Sequence, residues 1–303
     1  MSADKMESVS LMIAVTVFTP KSGRPKRVVG PQALRSYVPM LDHSRGHAGG
    51  SRVLASQLTE EGIGRATSLC FSRDGCSKLV LGDASLSELE ETRSIIKREQ
   101  PNAQVEIVNL DISDEASVDA FYARAVDNFG RVDFAANIAD YEHAVQPVTA
   151  LDEDDYEKSY TVNLRGIFLC QRAALRQMLK QESLPGLGRG SIVNVGSLSS
   201  TSPLGGLTLY SATKGGVLGL TITDAFDYGA KAIRLNMVAP GHTINPTLES
   251  ADDKYVSKTA LKRHGDPKDV GNAVAWLSSP RASYVTGITL TVDGGLHLTT
   301  GPP

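Results

Sequence analysis

The pattern of hydrophobic and polar residues changes near residue 51. Before that point, one apolar run, LMIAVTVF (Leu11–Phe18), is followed by a stretch rich in Gly, Pro, Ser, Arg and His with no sustained helical or strand period. After it, short apolar segments alternate with amphipathic segments of helical length as far as the C-terminus. We therefore expect residues 1–50 to be a poorly structured or atypical N-terminal extension and residues 51–303 to form one domain.

The alternating segments define the expected elements of that domain. Strands are predicted at 78–83, 103–111, 131–139, 190–197, 233–241 and 288–295. Helices are predicted at 85–100, 114–130, 152–181, 207–229 and 267–278. Strands separated by helices of this length predict βαβ units, and hence an α/β fold with a parallel sheet.

Composition narrows the class of protein. The formal net charge of the 303 residues is −3, so nothing in the charge balance indicates a nucleic-acid or anionic membrane partner. Three cysteines without metal-ligand spacing favour a reducing compartment, and the longest apolar run is too short to span a bilayer. The six histidines show no paired ligand spacing, so no metal site is expected. These features predict a cytoplasmic protein.

The strongest local signal is YSATK, in which Tyr210 and Lys214 lie four residues apart in a predicted helix and so share one of its faces. An ammonium group near a phenol favours the phenolate and lowers the tyrosine pKa. A phenol tuned in this way can exchange a proton near neutral pH. Ser197 follows the apolar strand SIVNV thirteen positions earlier, at the strand end where doubly wound sheets bind ligands.

Further motifs extend this pattern: NIA (137–139), VNLRG (162–166), SIVNVGS (191–197), IRLNMVAPG (233–241) and the C-terminal segment 266–295. In the order and spacing of these motifs, over about residues 51–296, the chain resembles the short-chain dehydrogenase/reductase family. The general style of its sequence is similar to that of fungal members that act in secondary metabolism. The resemblance implies a Rossmann-type, doubly wound, three-layer αβα fold around a parallel seven-stranded sheet.

The resemblance also implies a catalytic tetrad of Asn163, Ser197, Tyr210 and Lys214. Tyr210 would be the general acid or base at the carbonyl or carbinol oxygen, and Ser197 would hydrogen-bond that oxygen. Lys214 would lower the tyrosine pKa and hold the nicotinamide ribose, and Asn163 would anchor a water molecule leading to Lys214. The hydride chemistry would belong to the cofactor.

The cofactor implied is a nicotinamide dinucleotide. Asp83 ends a strand about twenty residues after the loop glycines, where a carboxylate binds the ribose 2′-hydroxyl and repels a 2′-phosphate. We expect no Lys or Arg beside the loop glycines or just after Asp83 to receive a 2′-phosphate, so NAD is favoured over NADP. By resemblance, the cofactor-binding residues are Gly62, Ile63, Gly64, Asp83, Asp111, Ile112, Asn137, Tyr210, Lys214, Pro240 and Thr243.

Two regions depart from the family pattern, the phosphate loop and the residue after NIA. The phosphate loop T-G-x-x-x-G-x-G would fall on residues 57–64, but Gln57 and Leu58 replace its Thr and Gly. Glu60 and Glu61 bring negative charge toward an anionic ligand at a helix N-terminus, so weakened dinucleotide binding is expected. Asp140 stands where the family usually has glycine after NIA.

The first strand has two candidate positions. It could be residues 52–57, directly before a degraded loop. It could instead be residues 11–18, with 19–58 inserted between strand and helix, although an unstructured insertion of that length is unusual.

Two functions from different classes remain open at this point. The first is an NAD(P)-dependent oxidoreductase that interconverts a secondary alcohol and a ketone on a small to medium-sized organic substrate, working as a homodimer or homotetramer. The second is a catalytically impaired binding or regulatory protein of the same fold. An intact tetrad favours the first, and the altered loop favours the second.

Overall fold

The computed structural model describes residues 13–17, 62–202, 204–244 and 253–299. The strands are β1 (Ile13–Val17), β2 (Lys78–Asp83), β3 (Gln104–Asn109), β4 (Phe134–Asn137), β5 (Gly190–Val195), β6 (Ile233–Pro240) and β7 (Thr289–Val292). The α-helices are α1 (Ile63–Arg73), α2 (Leu86–Glu99), α3 (Glu115–Phe129), α4 (Glu153–Tyr160), α5 (Ile167–Leu179), α6 (Thr208–Gly229), α7 (Asp253–Lys258) and α8 (Pro267–Ser278). A π-helical turn, Thr161–Gly166, joins α4 to α5.

The seven strands form one sheet in the order β3-β2-β1-β4-β5-β6-β7. The pairs β2–β3, β4–β5, β5–β6 and β6–β7 are parallel, as the alternation of strands and helices predicts. The carboxyl ends of β2 to β6 therefore meet at one edge of the sheet, which is where a doubly wound fold binds its ligands.

The central strand β1 departs from the expected topology. It pairs antiparallel with β2, with Val15 opposite Val80, and antiparallel with β4, with Val15 opposite Ala135. The sheet is thus mixed and not wholly parallel. Since its last residue, Val17, lies opposite Lys78 at the start of β2, β1 ends at the edge away from the site.

Of the two candidate first strands, the structure uses the upstream apolar run. A segment of the first fifty residues is therefore part of the sheet, and all described residues belong to one compact unit. The other candidate strand, 52–57, and the altered loop positions Gln57–Glu61 lie outside the described residues. The domain boundary at residue 51 stays a prediction.

Two apolar cores cover the two faces of the sheet, which gives the expected three-layer αβα architecture. On one face, α3, α5 and α6 contribute Phe121, Ile167 and Val217. On the other, α1, α2 and α8 contribute residues such as Leu69 and Val274. Within the described residues, no helix has the length and apolar character needed to cross a membrane.

The helix beginnings nearest the site are fixed by local sequence. Asp266 caps α8 in a reciprocal capping box with Asp269, and Pro267 starts the helix without losing a hydrogen bond. Asp114 caps α3, which ends at Gly130 in the left-handed conformation. These caps set where each helix leaves the ligand-binding edge.

Candidate active site

Three of the four expected tetrad side chains meet at the carboxyl edge of the sheet. Tyr210 and Lys214 lie one turn apart on α6, and Ser197 follows β5 and caps a short 3₁₀ turn by accepting a hydrogen bond from Ser199 N. All three are buried. A hydrogen bond joins the Ser197 side chain to Tyr210, and the Lys214 ammonium lies 5.5 Å from the centre of the tyrosine ring.

Lys214 is held inside the protein by oxygen atoms of two strand ends. Its Nζ donates to the carbonyl oxygen of Ala139 at 3.3 Å and to that of Val195 at 3.4 Å. Its side chain is only 1% exposed. A buried ammonium requires such partners, so these two contacts fix the Lys214 side chain between the ends of β4 and β5.

Asn163 lies in the π-helical turn between α4 and α5, where the sequence pattern predicts one uninterrupted helix. Its side-chain amide accepts from Tyr141 N at 2.8 Å and donates to Tyr141 O at 2.6 Å. Isolated π turns are frequent at functional sites, and here the wider turn coincides with the residue that clamps the segment after β4. The water-anchoring role of Asn163 stays a prediction.

Asp140 lies on the same segment after β4, and its carboxylate contacts two of the site residues. Its Oδ2 accepts a hydrogen bond from the Tyr210 hydroxyl at 3.1 Å, and its Oδ1 lies 3.0 Å from Lys214 Nζ. Sequence comparison marks this position only as a departure from glycine. The sequence alone could not show that the carboxylate reaches both Tyr210 and Lys214.

The pKa of Tyr210 is raised well above its ordinary value, which corrects the expectation that Lys214 lowers it. Burial of the phenol is the main cause, and the charges of Asp140 and Glu142 act in the same direction. The hydrogen bond from Ser197 opposes them. The expectation was wrong because it considered the ammonium alone, whereas two carboxylates also face the phenol.

His143 is a further site residue that sequence reasoning did not single out. It is buried, and its Nε2 lies 3.5 Å from Tyr210 N in the first turn of α6. Its Nδ1 lies 2.8 Å from Ala144 O. A neutral imidazole with the proton on Nδ1 satisfies both contacts, so His143 caps the helix that carries Tyr210.

The expected phosphate-binding glycines begin α1. Gly62 is the N-cap residue, Ile63 is the first helical residue, and Gly64 is buried. The N-cap residue Gly62 has no side chain to cap this helix start, whose first N–H groups need an acceptor from outside the helix. Arg65, directly after Gly64, contacts Glu88 at 2.5 Å and Glu91 at 2.7 Å. The expectation that no basic residue lies beside the loop glycines was therefore wrong, although this guanidinium is held by two carboxylates of α2.

Three of the expected cofactor-binding residues, Asp83, Asp111 and Ile112, lie at the end of β2 or just after β3. Asp83 is buried, and its Oδ1 accepts from Ser85 N at 2.7 Å. Burial raises the pKa of Asp83 to about 6, and Glu88 adds to this. Asp111 is exposed and accepts from Ser113 N at 2.8 Å, and the neighbouring Ile112 is buried.

The remaining expected cofactor residues end β4 and β6. Asn137 is fully buried and donates to Asn194 at 2.8 Å, while its Oδ1 has no hydrogen-bond partner among the residues that the structure describes. Pro240 is the last residue of β6, and the Thr243 backbone pairs with Gly265. In the described part of the chain, no group of three or more His, Cys, Asp or Glu side chains could hold a metal ion.

The chain matches the family model described as Enoyl-(Acyl carrier protein) reductase over residues 58–297. It is 33% identical to levodione reductase of Leifsonia aquatica, covering 77% of this chain and 90% of the relative. It is 34% identical to the short chain dehydrogenase/reductase astE of Aspergillus oryzae, covering 78% and 91%.

Solved structures show the same likeness. The crystal structure of levodione reductase matches with a TM-score of 0.71 at 32% identity, covering 77% of this chain and 93% of that one. The 3-ketoacyl-(acyl-carrier-protein) reductase of Brucella melitensis complexed with NADH has a TM-score of 0.71 at 30% identity, covering 78% and 93%.

The fold and the site therefore define an α/β protein of the doubly wound, dinucleotide-binding class. Within that class, this chain belongs to the short-chain dehydrogenase/reductase family. The relatives are named as reductases and dehydrogenases, so the chain is a member of an oxidoreductase family.

Proposed function

We propose that this chain is a cytoplasmic, NAD-dependent oxidoreductase that interconverts a secondary alcohol and a ketone on a small to medium-sized organic substrate. The observation that carries the proposal is the convergence of Ser197, Tyr210 and Lys214 at the ligand-binding edge of the sheet. Such a group can hold and protonate an oxygen atom, which is what carbonyl reduction requires.

In this proposal each side chain acts on one atom. The Tyr210 hydroxyl gives its proton to the carbonyl oxygen during reduction and recovers it during alcohol oxidation. Ser197 hydrogen-bonds the same oxygen, and Lys214 stabilises the phenolate that forms when the proton leaves. When bound, a nicotinamide supplies or takes up the hydride.

The residues present fit such a cofactor. The unpartnered Oδ1 of buried Asn137 lies at the end of β4, and a buried acceptor without a partner is costly unless a ligand satisfies it. The N-terminus of α1, which begins at a glycine, suits a phosphate. Asn137, Gly62 and Asp83 would hold the nucleotide, with Lys214 at the ribose.

Asp83 supports NAD over NADP. Its carboxylate ends β2 where it can accept from a ribose hydroxyl, and the guanidinium of Arg65 is engaged by two carboxylates of α2. A 2′-phosphate would meet negative charge from Asp83 and would have to compete with Glu88 and Glu91 for Arg65.

Asp83→Asn should reduce the preference for NADH over NADPH by about tenfold, because a charge-assisted hydrogen bond is lost and a repulsion is removed. Fluorescence titration of both nucleotides measures this change. Since the Asp83 pKa is about 6, the carboxylate is charged above that pH, and the wild-type preference should shrink as the pH falls below it.

Asp119→Asn, which removes an exposed carboxylate from α3, is the matched control and should leave the preference unchanged. Equal or tighter binding of NADPH to the wild-type protein at pH 8 would show that Asp83 does not select the ribose.

Substrate chemistry is tested by following NADH oxidation with a panel of ketones that includes a cyclic diketone and a 3-oxoacyl thioester. The panel reflects the names of two relatives, levodione reductase and 3-oxoacyl-[acyl-carrier-protein] reductase. Turnover of any member supports the proposal. NADH binding without turnover across the panel would favour the alternative, a binding or regulatory protein of this fold.

The proposal of a role in secondary metabolism rests on the resemblance of the sequence to fungal members of the family.

The same proposal includes a homodimer or homotetramer assembled through α4, α5 and α6. The exposed faces of these helices carry Tyr156, Tyr160, Phe168, Ile222 and Phe226, the last of which is 88% exposed. A pocket of about 170 Å³ lies on this face, lined in part by Tyr156 and Leu209. An apolar surface of this kind favours burial against a second copy.

Phe226→Asp should convert the assembly to a smaller species or to a monomer at micromolar concentration, because it places a charge in the proposed interface. Light scattering measures the mass. Leu86→Asp, which adds the same charge at the exposed start of α2, is the control and should leave the mass unchanged. A wild-type protein that is monomeric at the same concentration would contradict the proposed assembly.

A further inference from the structure

Asp140 is fixed in place by the tetrad itself. The carbonyl oxygen of Ala139, one residue before it, accepts a hydrogen bond from Lys214 Nζ at 3.3 Å. The backbone of Tyr141, one residue after it, is clamped in both directions by the side chain of Asn163. The carboxylate therefore projects from a backbone segment that two tetrad residues hold on either side.

The carboxylate joins the two proton-handling groups of the site. Oδ1 is buried and lies 3.0 Å from the Lys214 ammonium. This contact is an ion pair without the geometry of a directional hydrogen bond. Oδ2 accepts from the Tyr210 hydroxyl at 3.1 Å. The Asp140 side chain is 43% exposed, whereas that of Lys214 is 1% exposed.

This arrangement has a direct electrostatic consequence for Tyr210. A carboxylate can accept only while the phenol keeps its proton, and a phenolate in the same place would face a like charge at hydrogen-bond distance. The charged or titratable groups around the phenol are Lys214 on α6 and Asp140, Glu142 and His143 on the segment after β4. His143 contacts the backbone of Tyr210, and the Lys214 ammonium, 3.0 Å from Asp140 Oδ1, is a cation that opposes the two acids.

We propose that Asp140 is a positioning residue that keeps Tyr210 in its phenol form, so that carbonyl reduction proceeds at neutral pH and alcohol oxidation requires alkaline conditions. This inference rests on the proposed function of the same site. Reduction begins with Tyr210 as a proton donor, whereas oxidation begins with it as a proton acceptor. A residue that stabilises the donor form therefore separates the pH ranges of the two directions without changing the overall equilibrium.

The first test needs neither substrate nor cofactor. The ultraviolet absorbance of tyrosinate is followed during alkaline titration of Asp140→Asn, and the same titration of Asp140→Asn/Tyr210→Phe is subtracted, because the chain has nine tyrosines. The matching subtraction for the wild type uses Tyr210→Phe. We expect the ionisation of Tyr210 to move down by at least about one pH unit when the carboxylate is neutralised.

Three further variants separate the effect of charge from that of side-chain shape. Asp140→Glu keeps the charge and should keep most of the wild-type titration. Glu142→Gln removes the neighbouring acid, which is not in hydrogen-bond contact with the phenol, and should cause a smaller shift than Asp140→Asn. Asp140→Gly, with the residue usual in the family, removes carboxylate and side chain together and should shift the titration at least as far as Asn does. Circular dichroism verifies that each variant is folded.

The second test is the pH dependence of kcat/KM for alcohol oxidation. The rise in kcat/KM with pH should begin about one pH unit lower in Asp140→Asn than in the wild type, whereas ketone reduction at neutral pH should not increase. An unchanged tyrosine titration together with an unchanged oxidation profile would overturn the inference. A shifted titration in a protein that reduces no ketone would uphold the effect of Asp140 on Tyr210 while contradicting the proposed oxidoreductase function.

Discussion

Tyr210→Phe should lower turnover by a factor of hundreds or more, because in the proposed mechanism it removes the hydroxyl that exchanges a proton with the substrate oxygen. Substrate binding relies on other contacts, so kcat should fall much more than KM rises. The measurement is steady-state NADH oxidation with whichever ketone of the panel is turned over.

The buried tyrosine on α3 provides a matched control. Tyr122 is as buried as Tyr210, and its hydroxyl has no hydrogen-bond partner. Tyr122→Phe should leave turnover unchanged, since it deletes a hydroxyl group that contacts neither substrate nor tetrad. In Tyr210→Phe, NADH affinity and the thermal midpoint should stay close to those of the wild type.

Retention of most of the activity by Tyr210→Phe would remove Tyr210 as the acid or base. If activity fell together with NADH affinity and thermal stability, the loss would reflect a damaged fold. Only a selective fall in kcat supports a proton-transfer role.

The sequence predicts the parts of the site that depend on local spacing. Tyr210 and Lys214 share a helix face because they lie four residues apart, and Ser197 follows an apolar strand whose carboxyl end is at the ligand edge. The structure has both of these arrangements because they depend only on helix geometry and on a parallel sheet. The three-layer architecture follows for the same reason, from strands and helices that alternate along the chain.

Other features of the site depend on contacts between distant segments. Asp140 lies seventy positions before Tyr210, and no periodicity relates a residue after β4 to a residue on α6. The predicted direction of the Tyr210 pKa shift was wrong because the sequence shows Lys214 as a neighbour but gives no distance to Asp140 or Glu142. The π turn at Asn163 was also missed, since the apolar pattern of α4 and α5 is that of one helix.

The central strand is the largest difference between expectation and structure. Both the apolar run at 11–18 and the mixed segment at 52–57 could occupy that position, and hydrophobicity alone favours the first. The orientation of the strand is not encoded in its apolar pattern, because alternating faces look the same in either direction. A parallel first strand would lead directly into the loop before α1, whereas an antiparallel β1 ends at the opposite edge.

Val15→Pro should destabilise the protein by about 3 kcal/mol or more, because β1 is hydrogen-bonded on both sides. In such a strand each backbone N–H points to one neighbour or the other, so proline at Val15 breaks a ladder bond whichever neighbour it faces. Val53→Pro makes the same change in the competing segment, which lies outside the described residues, and should alter the urea midpoint little if β1 is the central strand. Urea unfolding of both full-length variants, followed by circular dichroism, distinguishes the assignments. Loss of stability in Val53→Pro with a stable Val15→Pro would place the central strand at 52–57, directly before the glycines that start α1.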